Sequence, residues 1–392
     1  MRVCIIGWYG TETIGDRGIL AGIFSLLHQS VGNFSVQLGS LYPYFTERTL
    51  HEDASFYKNI CGKEIEIKLF DSRESKQLET AISESDLVIV GGGPLMHINA
   101  MFMLEYAFKR AKKLGKKTML FGCGVGPLHK SRHQKATVSI AEQSDCIVLR
   151  DTASKSFLQE LYKAHGSKWN DAKVQVSLDP SMQCLFDFQR HAGSPQADFA
   201  SPEYIAVNMR AFPDEYSKSN KRKIINDNLR DFLLKLSENF AYKKIRLIPM
   251  HYFHIGNDDR DFLNTLALQL NKQNIEVQNI NLSLEQTMEV FQNAWLNIGM
   301  RFHSVVFQTI LNGRNFILDY TEPQKGKISG FLNDMDGNSF YKERYFNLQT
   351  LSNSQDVQLG LDNIDLSQKF SFDIDSVKKK LEVYTTTLKS LA

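Results

Sequence analysis

An arginine and a histidine two positions apart carry the strongest chemical signal in this sequence. Arg301 and His303 follow an apolar run that ends in Gly299, and residues 302–311 have helical spacing. A guanidinium binds carboxylate or phosphate through two parallel hydrogen bonds, and an imidazole can deliver a proton near neutral pH. The pair therefore indicates a site that holds and protonates an anionic substrate. The structural alternative is a surface arginine at a helix start and a histidine satisfied in the core.

Two further cations occupy comparable places in the second half of the chain. Arg210 closes the apolar run 205–209, and Lys327 lies in a loop after the run 315–320. Each charge-assisted hydrogen bond contributes about 1.5–3 kcal/mol, so three or four cations meeting at one point would hold a small dianion without a metal. Taken singly, each side chain is equally consistent with a solvated surface charge.

Glycines follow three apolar runs in the first half, within residues 7–15, 91–93 and 122–126. Backbone N–H groups in such loops, and at the start of the next helix, can approach an anion closely. Tight strand-to-helix turns, with Asp16 as a helix N-cap, explain the same glycines equally well. The pattern is neither a dinucleotide fingerprint nor a P-loop. The candidate substrate-binding positions in these loops are Gly10, Gly92, Gly93 and Gly124.

Histidines elsewhere give weaker signals. His97 lies just beyond the triple glycine and is interpreted either as a contact to an acceptor substrate or as a surface residue at a helix start. His251 belongs to residues 250–261, where His251, His254, Asp258 and Asp259 are dense enough to suggest a metal. Their spacing fits no established zinc pattern, so the sequence predicts no metal site.

Apolar runs alternate with helical segments in both halves of the chain. Such alternation predicts the α/β class with parallel sheets, whose ligands gather at the carboxyl ends of the strands. Every glycine loop named above lies at such an end. The runs interpreted as strands are residues 2–6, 86–90, 117–121, 146–149, 174–178, 205–209, 245–249, 276–279, 296–300 and 315–320.

A polar stretch over residues 186–204, with one glycine and two prolines, separates the two sets of runs. We therefore predict an N-terminal domain over 1–190, a linker over 191–204 and a C-terminal domain over 205–346. The remaining polar tail, 347–392, contains one helical segment at 374–391 that we expect to pack back on a domain.

Composition excludes several classes of protein. The chain has 392 residues, 46 Lys plus Arg against 44 Asp plus Glu, and a net charge of +2, so no basic field favours nucleic acid. Its five cysteines lack metal or disulfide spacing, which favours a reducing compartment. No stretch approaches the roughly 18 apolar residues of a membrane span. We expect a cytoplasmic protein, and peripheral contact with the inner membrane face stays open.

Seven short motifs, taken in order, resemble the polysaccharide pyruvyl transferases, which move the enolpyruvyl unit of phosphoenolpyruvate onto sugars as a ketal. Each motif is weak by itself, but the order of all seven is fairly specific. The motifs lie at residues 7–20, 86–95, 122–127, 150–154, 179–180, 299–303 and 327–331.

The resemblance implies two Rossmann-like domains facing a cleft, as in glycosyltransferase-B folds, with the acceptor on the N-terminal side and the donor on the C-terminal side. Phosphoenolpyruvate would be the donor, a saccharide the acceptor, and no cofactor or metal would be needed. Arg301, His303 and Arg210 would bind the donor or act in catalysis, and the loop containing His251 would line the cleft wall. The acceptor would be a polysaccharide or its precursor, with a lipid-linked form left open, and the oligomeric state is not predicted.

Three residues depart from the family's usual pattern. Thr13 stands where asparagine is usual, Arg17 where an acidic residue is common, and Cys123 where glutamine is common. All three lie in the N-terminal half, so they bear on acceptor identity and on activity more than on donor binding.

The residues suggest a mechanism in which Arg301, Arg210 and Lys327 clamp phosphoenolpyruvate. His303 would protonate its methylene carbon, and Asp16 would act as the base toward the sugar hydroxyl. Two other functions fit the same architecture. One is a nucleotide-sugar-dependent glycosyltransferase, whose cations would bind a diphosphate, and the other is a non-catalytic relative that binds a saccharide.

Overall fold

The computed structural model describes residues 1–91, 93–192, 204–216, 219–253, 255–351 and 365–392. Gly92, His254 and most of the predicted linker 191–204 lie outside the described residues. The chain divides into two compact units. Unit 1 comprises Met1–Glu12, Asp16–Asp187 and Asp373–Ala392, and unit 2 comprises Thr13–Gly15 and Phe188–Phe372.

Unit 1 contains a seven-stranded parallel sheet in the order β3-β2-β1-β4-β5-β6-β7. Its strands are β1 (Arg2–Ile6), β2 (Ser35–Ser40), β3 (Glu66–Asp71), β4 (Leu87–Gly91), β5 (Lys117–Cys123), β6 (Cys146–Leu149) and β7 (Val174–Val176). The helices along this part of the chain are α1 (Ile14–Val31), α2 (Pro43–Glu52), α3 (Ala54–Cys61), α4 (Ser75–Glu84), α5 (Met101–Lys113), α6 (Ser131–Gln143), α7 (Thr152–Ala164) and α8 (Ser181–Ala192).

The central strands of unit 1 are apolar along nearly their whole length, because helices cover both faces of a parallel sheet. In β1 every residue after Arg2 is buried, and in β4 all five residues are. The order of the strands reverses between β1 and β4. In open sheets of this type, ligands bind beside the carboxyl ends of the strands at that reversal.

Unit 2 repeats the same plan with a six-stranded parallel sheet in the order β10-β9-β8-β11-β12-β13. Its reversal lies between β8 and β11. The strands are β8 (Tyr204–Val207), β9 (Lys244–Leu247), β10 (Ile275–Val277), β11 (Leu296–Gly299), β12 (Asn315–Asp319) and β13 (Tyr345–Asn347). The helices are α9 (Ser219–Asn239), α10 (Asp259–Leu270), α11 (Leu284–Gln292), α12 (Phe302–Leu311), α13 (Lys327–Asp334) and α14 (Asn338–Tyr341).

The last helix, α15 (Ile374–Leu391), packs within unit 1. The Tyr384 ring stacks on Phe121 with centroids 4.4 Å apart, and its hydroxyl donates to the carbonyl of Leu178 at 2.6 Å. The Ser177 hydroxyl donates to the carbonyl of Lys380 at 2.7 Å. The end of the tail is thereby held against the carboxyl edge of β5 and the segment after β7.

The sequence patterns and the structure differ at a few positions. Helix α1 begins at Ile14, so Asp16 lies in its first turn and is not the N-cap. Strand β13 extends past residue 346, where the predicted C-terminal domain ends. The predicted domain limits stay predictions, since most of the polar stretch between the two predicted domains lies outside the described residues.

Candidate functional site

The loops after β8 and β11 are joined by one buried amide at the reversal point of unit 2. The Asn208 side chain donates from Nδ2 to the carbonyl of Ile248 at 2.9 Å and accepts the backbone N–H of Arg301 at 3.0 Å. Arg301 is the N-cap of α12. Asn208 therefore sets where α12 begins and how the residues of its first turn are presented.

Arg301 forms a two-pronged ion pair with a buried carboxylate. It donates from Nε to Asp259 Oδ2 at 2.8 Å and from Nη2 to Oδ1 at 2.6 Å. Asp259 is 2% exposed and also accepts the backbone N–H groups of Met250 and His251. The sequence analysis expected the guanidinium of Arg301 to hydrogen-bond a substrate anion. In the structure, the Nε and Nη2 groups of Arg301 hydrogen-bond Asp259 instead.

The three predicted donor-binding cations all act on one phenol. Tyr320 is 5% exposed, with the Arg210 guanidinium 5.7 Å and the Lys327 ammonium 5.8 Å from its ring centroid. Burial raises the pKa of Tyr320, but the charges of Lys327, Arg210 and Arg301, with a hydrogen bond from Lys327, outweigh burial and lower that pKa below its ordinary value. The structure therefore brings Arg210, Arg301 and Lys327 together within unit 2.

His303 lies in the first turn of α12, with its ring edge-on to Phe302 at a centroid distance of 5.0 Å. Gly15 also packs against this ring, because a Cβ at Gly15 would lie 1.9 Å from His303 Nδ1. Any larger side chain at Gly15 would displace the imidazole. His251 is buried and pairs with Thr13 through an isolated antiparallel bridge. Thr13–Gly15 therefore contacts both histidines that the sequence analysis selected in unit 2.

In unit 1, the loop after β1 holds Asp16 against the loop after β4. The Thr11 hydroxyl is within hydrogen-bonding distance of the Trp8 carbonyl, at 2.8 Å, and of Asp16 Oδ2, at 3.3 Å. Gly93 has a positive φ of 84°, and a Cβ there would lie 2.6 Å from the Trp8 ring and 3.7 Å from Asp16 Oδ1. Asp16 and Gly93 are therefore neighbours at the reversal point of this sheet.

The other glycines of unit 1 lie apart from that pair. Gly10 has a φ of 85° and packs against Ser40 and Tyr42. Gly124 lies against the Arg150 guanidinium, which forms an ion pair with Asp179 at 3.3 Å. Contacts of Gly10 and Gly124 with substrate stay predictions.

A glutamate that the sequence analysis overlooked lies in a strongly perturbed environment in this loop. Glu12 adopts a left-handed backbone with φ 63° and is 6% exposed. Its Oε2 pairs with Arg48, whereas its Oε1 is buried with no hydrogen-bond partner in the described part of the chain. Burial raises the pKa of Glu12 to about 7 despite the opposing charges of Arg48 and Arg17. A strained backbone and a carboxyl that titrates near neutral pH are typical of functional sites.

Replacing Glu12 by glutamine is expected to change how stability depends on pH. The folded-state pKa of Glu12 lies above its unfolded value, so wild-type stability falls as pH rises from about 4.5 to about 7. Glutamine does not titrate, and the variant should gain up to about 3 kcal/mol relative to wild type between pH 4.5 and 8. Urea unfolding over this pH range measures the gain. The control is Glu47→Gln, at an exposed position in α2, and curves for Glu12→Gln that run parallel to wild type would disprove the assignment.

Two of the departures from the family pattern have structural explanations. Arg17 is buried and donates from Nε and Nη2 to Asp53 at 2.6 and 2.5 Å, with Glu52 at 3.1 Å. The positive charge is therefore compensated by two acidic side chains. The Cys123 thiol donates to the carbonyl of Val90 at 3.3 Å, and burial raises its pKa to about 12. Such a thiol is unreactive at neutral pH.

The acidic residues that suggested a metal have other partners. Asp258 caps α10 by accepting the backbone N–H of Arg260 at 2.9 Å, and Asp259 pairs with Arg301. Across the described residues, no group of three or more His, Cys, Asp or Glu side chains is arranged to hold a metal ion.

Sequence reasoning missed the partners that organise the site. Tyr320 ends the predicted strand 315–320, at the same kind of position as Arg210 and Arg301, so the rule that selected those arginines would also have found it. Asp259 belongs to the cluster at residues 250–261, which the sequence analysis considered only as a possible metal site. Glu12 carries no signal beyond its place among the glycines of its loop.

Comparison with known proteins identifies the family and the fold. The family model described as polysaccharide pyruvyl transferase matches residues 19–322, well over half of the chain. No curated protein matches the chain in sequence. Within the described residues, none of the helices is long and apolar enough to cross a membrane.

The chain is similar in structure to nucleotide-sugar enzymes at low sequence identity. MnaA of S. aureus, solved with UDP, has a TM-score of 0.62 and 11% identity, covering 100% of this chain and 97% of that one. UDP-GlcNAc 2-epimerase of Methanocaldococcus jannaschii, in complex with UDP-GlcNAc and UDP, has a TM-score of 0.57 and 11% identity, covering 99% and 100%. A glycosyltransferase of Rickettsia africae has a TM-score of 0.54 and 14% identity, covering 99% and 98%.

These likenesses confirm the predicted fold class, an α/β protein with two Rossmann-like domains of the glycosyltransferase-B type. Identities this low show the fold alone, so the activity rests on the family match and on the residues of the site. That match spans the Gly-Met-Arg-Phe-His segment 299–303 and the loops after β4 and β5. The chain therefore belongs to the polysaccharide pyruvyl transferase family.

Proposed function

We propose that this protein transfers the enolpyruvyl unit of phosphoenolpyruvate to a saccharide and forms a pyruvyl ketal. The observation that carries the proposal is the group of three cations around Tyr320, because a small molecule with a carboxylate and a phosphate needs several positive charges close together. Arg210 and Lys327 supply the charges that contact the donor. Arg301, which is paired with Asp259, contributes its positive charge to the electrostatic potential at the donor.

The proposed reaction balances because the two hydroxyls lose two protons, one of which replaces the proton given to the methylene carbon while the other ends on the departing phosphate. His303 protonates the methylene carbon of phosphoenolpyruvate, which leaves C2 electron-deficient. A sugar hydroxyl adds to C2 and loses its proton to a base, the C–O bond to phosphate breaks, and inorganic phosphate leaves. A second hydroxyl of the same sugar then adds to C2 and loses its proton, which closes the ketal. The cations stabilise the negative charge that moves onto the departing phosphate.

Asp16 is the proposed base toward the acceptor hydroxyl, since it lies beside Gly93 at the reversal point of unit 1. Glu12, in the same loop, offers a second carboxyl whose pKa of about 7 suits proton exchange. Comparing Asp16→Asn with Glu12→Gln distinguishes the two: the variant of the true base loses the rise of kcat/KM with pH, and the other keeps it.

None of the five cysteines, all of which lie within the described residues, forms a disulfide bond. Cysteines without disulfide bonds accord with a reducing compartment, so we propose that the reaction takes place in the cytoplasm. A lipid-linked acceptor would bring the protein to the inner membrane face, where the acceptor saccharide would be presented.

The assay for the proposed function is release of inorganic phosphate from phosphoenolpyruvate in the presence of a panel of glycans. Pyruvyl transfer predicts release that depends on the acceptor. Failure with a broad panel would favour the non-catalytic saccharide-binding relative. Thermal stabilisation by UDP-sugars in place of phosphoenolpyruvate would favour the nucleotide-sugar glycosyltransferase.

Lys327→Gln is expected to weaken phosphoenolpyruvate binding by roughly 10- to 100-fold, the effect of losing one charge-assisted hydrogen bond. Titration calorimetry measures the affinity of the full chain. The structure places Lys327 at the first residue of α13 and not in the predicted loop. Lys325→Gln is the matched control, because Lys325 is exposed and lies two positions earlier, just before that helix. Equal affinities of the Lys327→Gln and Lys325→Gln variants would remove Lys327 from the donor site.

A further inference from the structure

Helix α6 begins without a capping side chain and with cations in place of acids. Its N-cap is Lys130, whose side chain makes no capping hydrogen bond, and its first turn contains no acidic residue but includes Arg132. A helix N-terminus carries partial positive charge and unpaired backbone N–H groups, so anions stabilise it and cations do not. Helices α7, α10, α11 and α15 in this chain begin instead at aspartate or serine caps.

A buried histidine in the same turn lacks polar partners. His133 is 1% exposed, and neither of its ring nitrogens has a hydrogen-bond partner among the described residues. Its ring stacks on that of His97 at 4.1 Å between centroids, and His97 Nδ1 is likewise buried without a partner there. Buried polar atoms are rarely left unpaired, and each such atom calls for a ligand or another explanation.

Backbone pairing between two loops brings His97 to this helix. The Leu95 N–H donates to the carbonyl of Gly124 at 2.8 Å, and the Gly126 N–H donates to the carbonyl of Leu95 at 2.8 Å. The loop after β4 is thus joined to the loop that leads from β5 into α6. Both loops lie at the carboxyl edge of the sheet, where α/β proteins bind ligands.

The charges that act on these two rings in the described residues come from basic side chains. His97 lies near Lys130, His129 and Arg132, and its pKa is lowered by burial and by those three groups. The pKa of His133 is lowered by burial and by His97, Arg132 and Lys130. In the described residues neither Lys130 nor Arg132 forms a salt bridge, although Arg132 donates to Asn99 Oδ1 at 3.1 Å. The local field therefore favours an anion.

We propose that this histidine cluster, defined as His97, His129, Lys130, Arg132 and His133, binds a phosphate or diphosphate group. The N–H groups of Ser131 and Arg132 at the start of α6 and the two cations hold its oxygens, since the next two N–H groups already donate to the Lys130 carbonyl. The imidazole nitrogens that have no partner in the described residues donate to it once protonated. If the proposed function is correct, this group belongs to the acceptor, which would then be a phosphorylated or diphosphate-linked saccharide. Only that last step rests on the proposed function.

The test titrates inorganic pyrophosphate into the full-length protein while the histidine ring protons are followed by NMR. Pyrophosphate is expected to shift the His97 and His133 signals and to raise the pKa of both. Lys130→Gln combined with Arg132→Gln should weaken this response at least tenfold. The control combines Lys113→Gln with Lys135→Gln, which removes two exposed cations, one of them from α6 itself, and should leave the response unchanged.

Lys327→Gln separates this proposal from the donor site. It should weaken phosphoenolpyruvate binding and leave the response of His133 to pyrophosphate intact. Histidine signals that do not move, or an unchanged response in the Lys130 and Arg132 double variant, would overturn the cluster as a site whether or not pyruvyl transfer occurs. Two further probes then distinguish a free ligand from a lipid-borne one: a soluble sugar diphosphate, and vesicles of phosphatidylcholine with phosphatidic acid. Binding of either probe supports the site if the Lys130 and Arg132 double variant loses that binding.

Discussion

Replacing His303 by alanine is expected to lower kcat with phosphoenolpyruvate by about 10²- to 10⁴-fold, the usual contribution of a positioned general acid. The imidazole is held in the first turn of α12 against Phe302 and Gly15, so removing it deletes the proton donor without disturbing the cations around Tyr320. The affinity for phosphoenolpyruvate should therefore change by only a few-fold. Phosphate release measures turnover, and titration calorimetry measures donor binding.

His191→Ala is the control for this substitution, because it removes an exposed imidazole from the same unit. It should retain wild-type turnover. A His303→Ala variant with wild-type kcat would exclude His303 as the acid. Gly15→Ala gives an independent check, since a Cβ there would force the His303 ring to move. It should reduce turnover although the imidazole is still present.

Asp259→Asn is expected to destabilise the protein by about 3–5 kcal/mol, the usual cost of breaking a buried ion pair from one side. The substitution leaves the Arg301 guanidinium facing a neutral amide, which cannot accept both of its N–H groups equally well. It also alters the acceptor used by the N–H groups of Met250 and His251. Urea unfolding measures the loss of stability.

Asp261→Asn provides the matched control, because Asp261 lies in the first turn of the same helix and is exposed. Its effect should stay within about 0.5 kcal/mol, as expected for a surface site. Combining Asp259→Asn with Arg301→Gln should cost less than the sum of the two single changes, since the pair is removed together. An Asp259→Asn variant as stable as wild type would show that the ion pair does not hold the site.

Donor binding and stability are linked through this pair. Arg301 belongs both to the group of cations around Tyr320 and to the ion pair with Asp259. A loss of phosphoenolpyruvate affinity in an Arg301 variant is therefore interpretable only when its stability is measured alongside. Lys327 lies beside Tyr320 and forms no salt bridge with an acidic side chain in the described residues, so a Lys327 variant reports on the donor more directly.

Apolar patterning predicted the central strands of both sheets. Strands such as β1, β4 and β11 are buried on both faces, and an apolar run bounded by glycine is what such a strand requires. Strands β2, β3 and β13 were not predicted, because their polar residues interrupt the run: the burial of β3 alternates between exposed and partly buried positions. Strand β2 lies inside the sheet, between β3 and β1, whereas β3 and β13 lie at sheet edges, where a strand with polar residues is recognised only when its neighbour is known.

The sequence by itself determined the α/β class, the family resemblance and the positions of Arg301 and His303 at the start of a helix, because those features depend on local periodicity and on short motifs. Only the tertiary structure decided that Arg301 pairs with Asp259, that Tyr320 lies among three cations, and that burial moves the pKa of Glu12 close to neutrality. Each of these depends on contacts between residues distant in the chain or on exclusion of water. Charge pairing and desolvation act through space, and the order of residues along the chain does not report them.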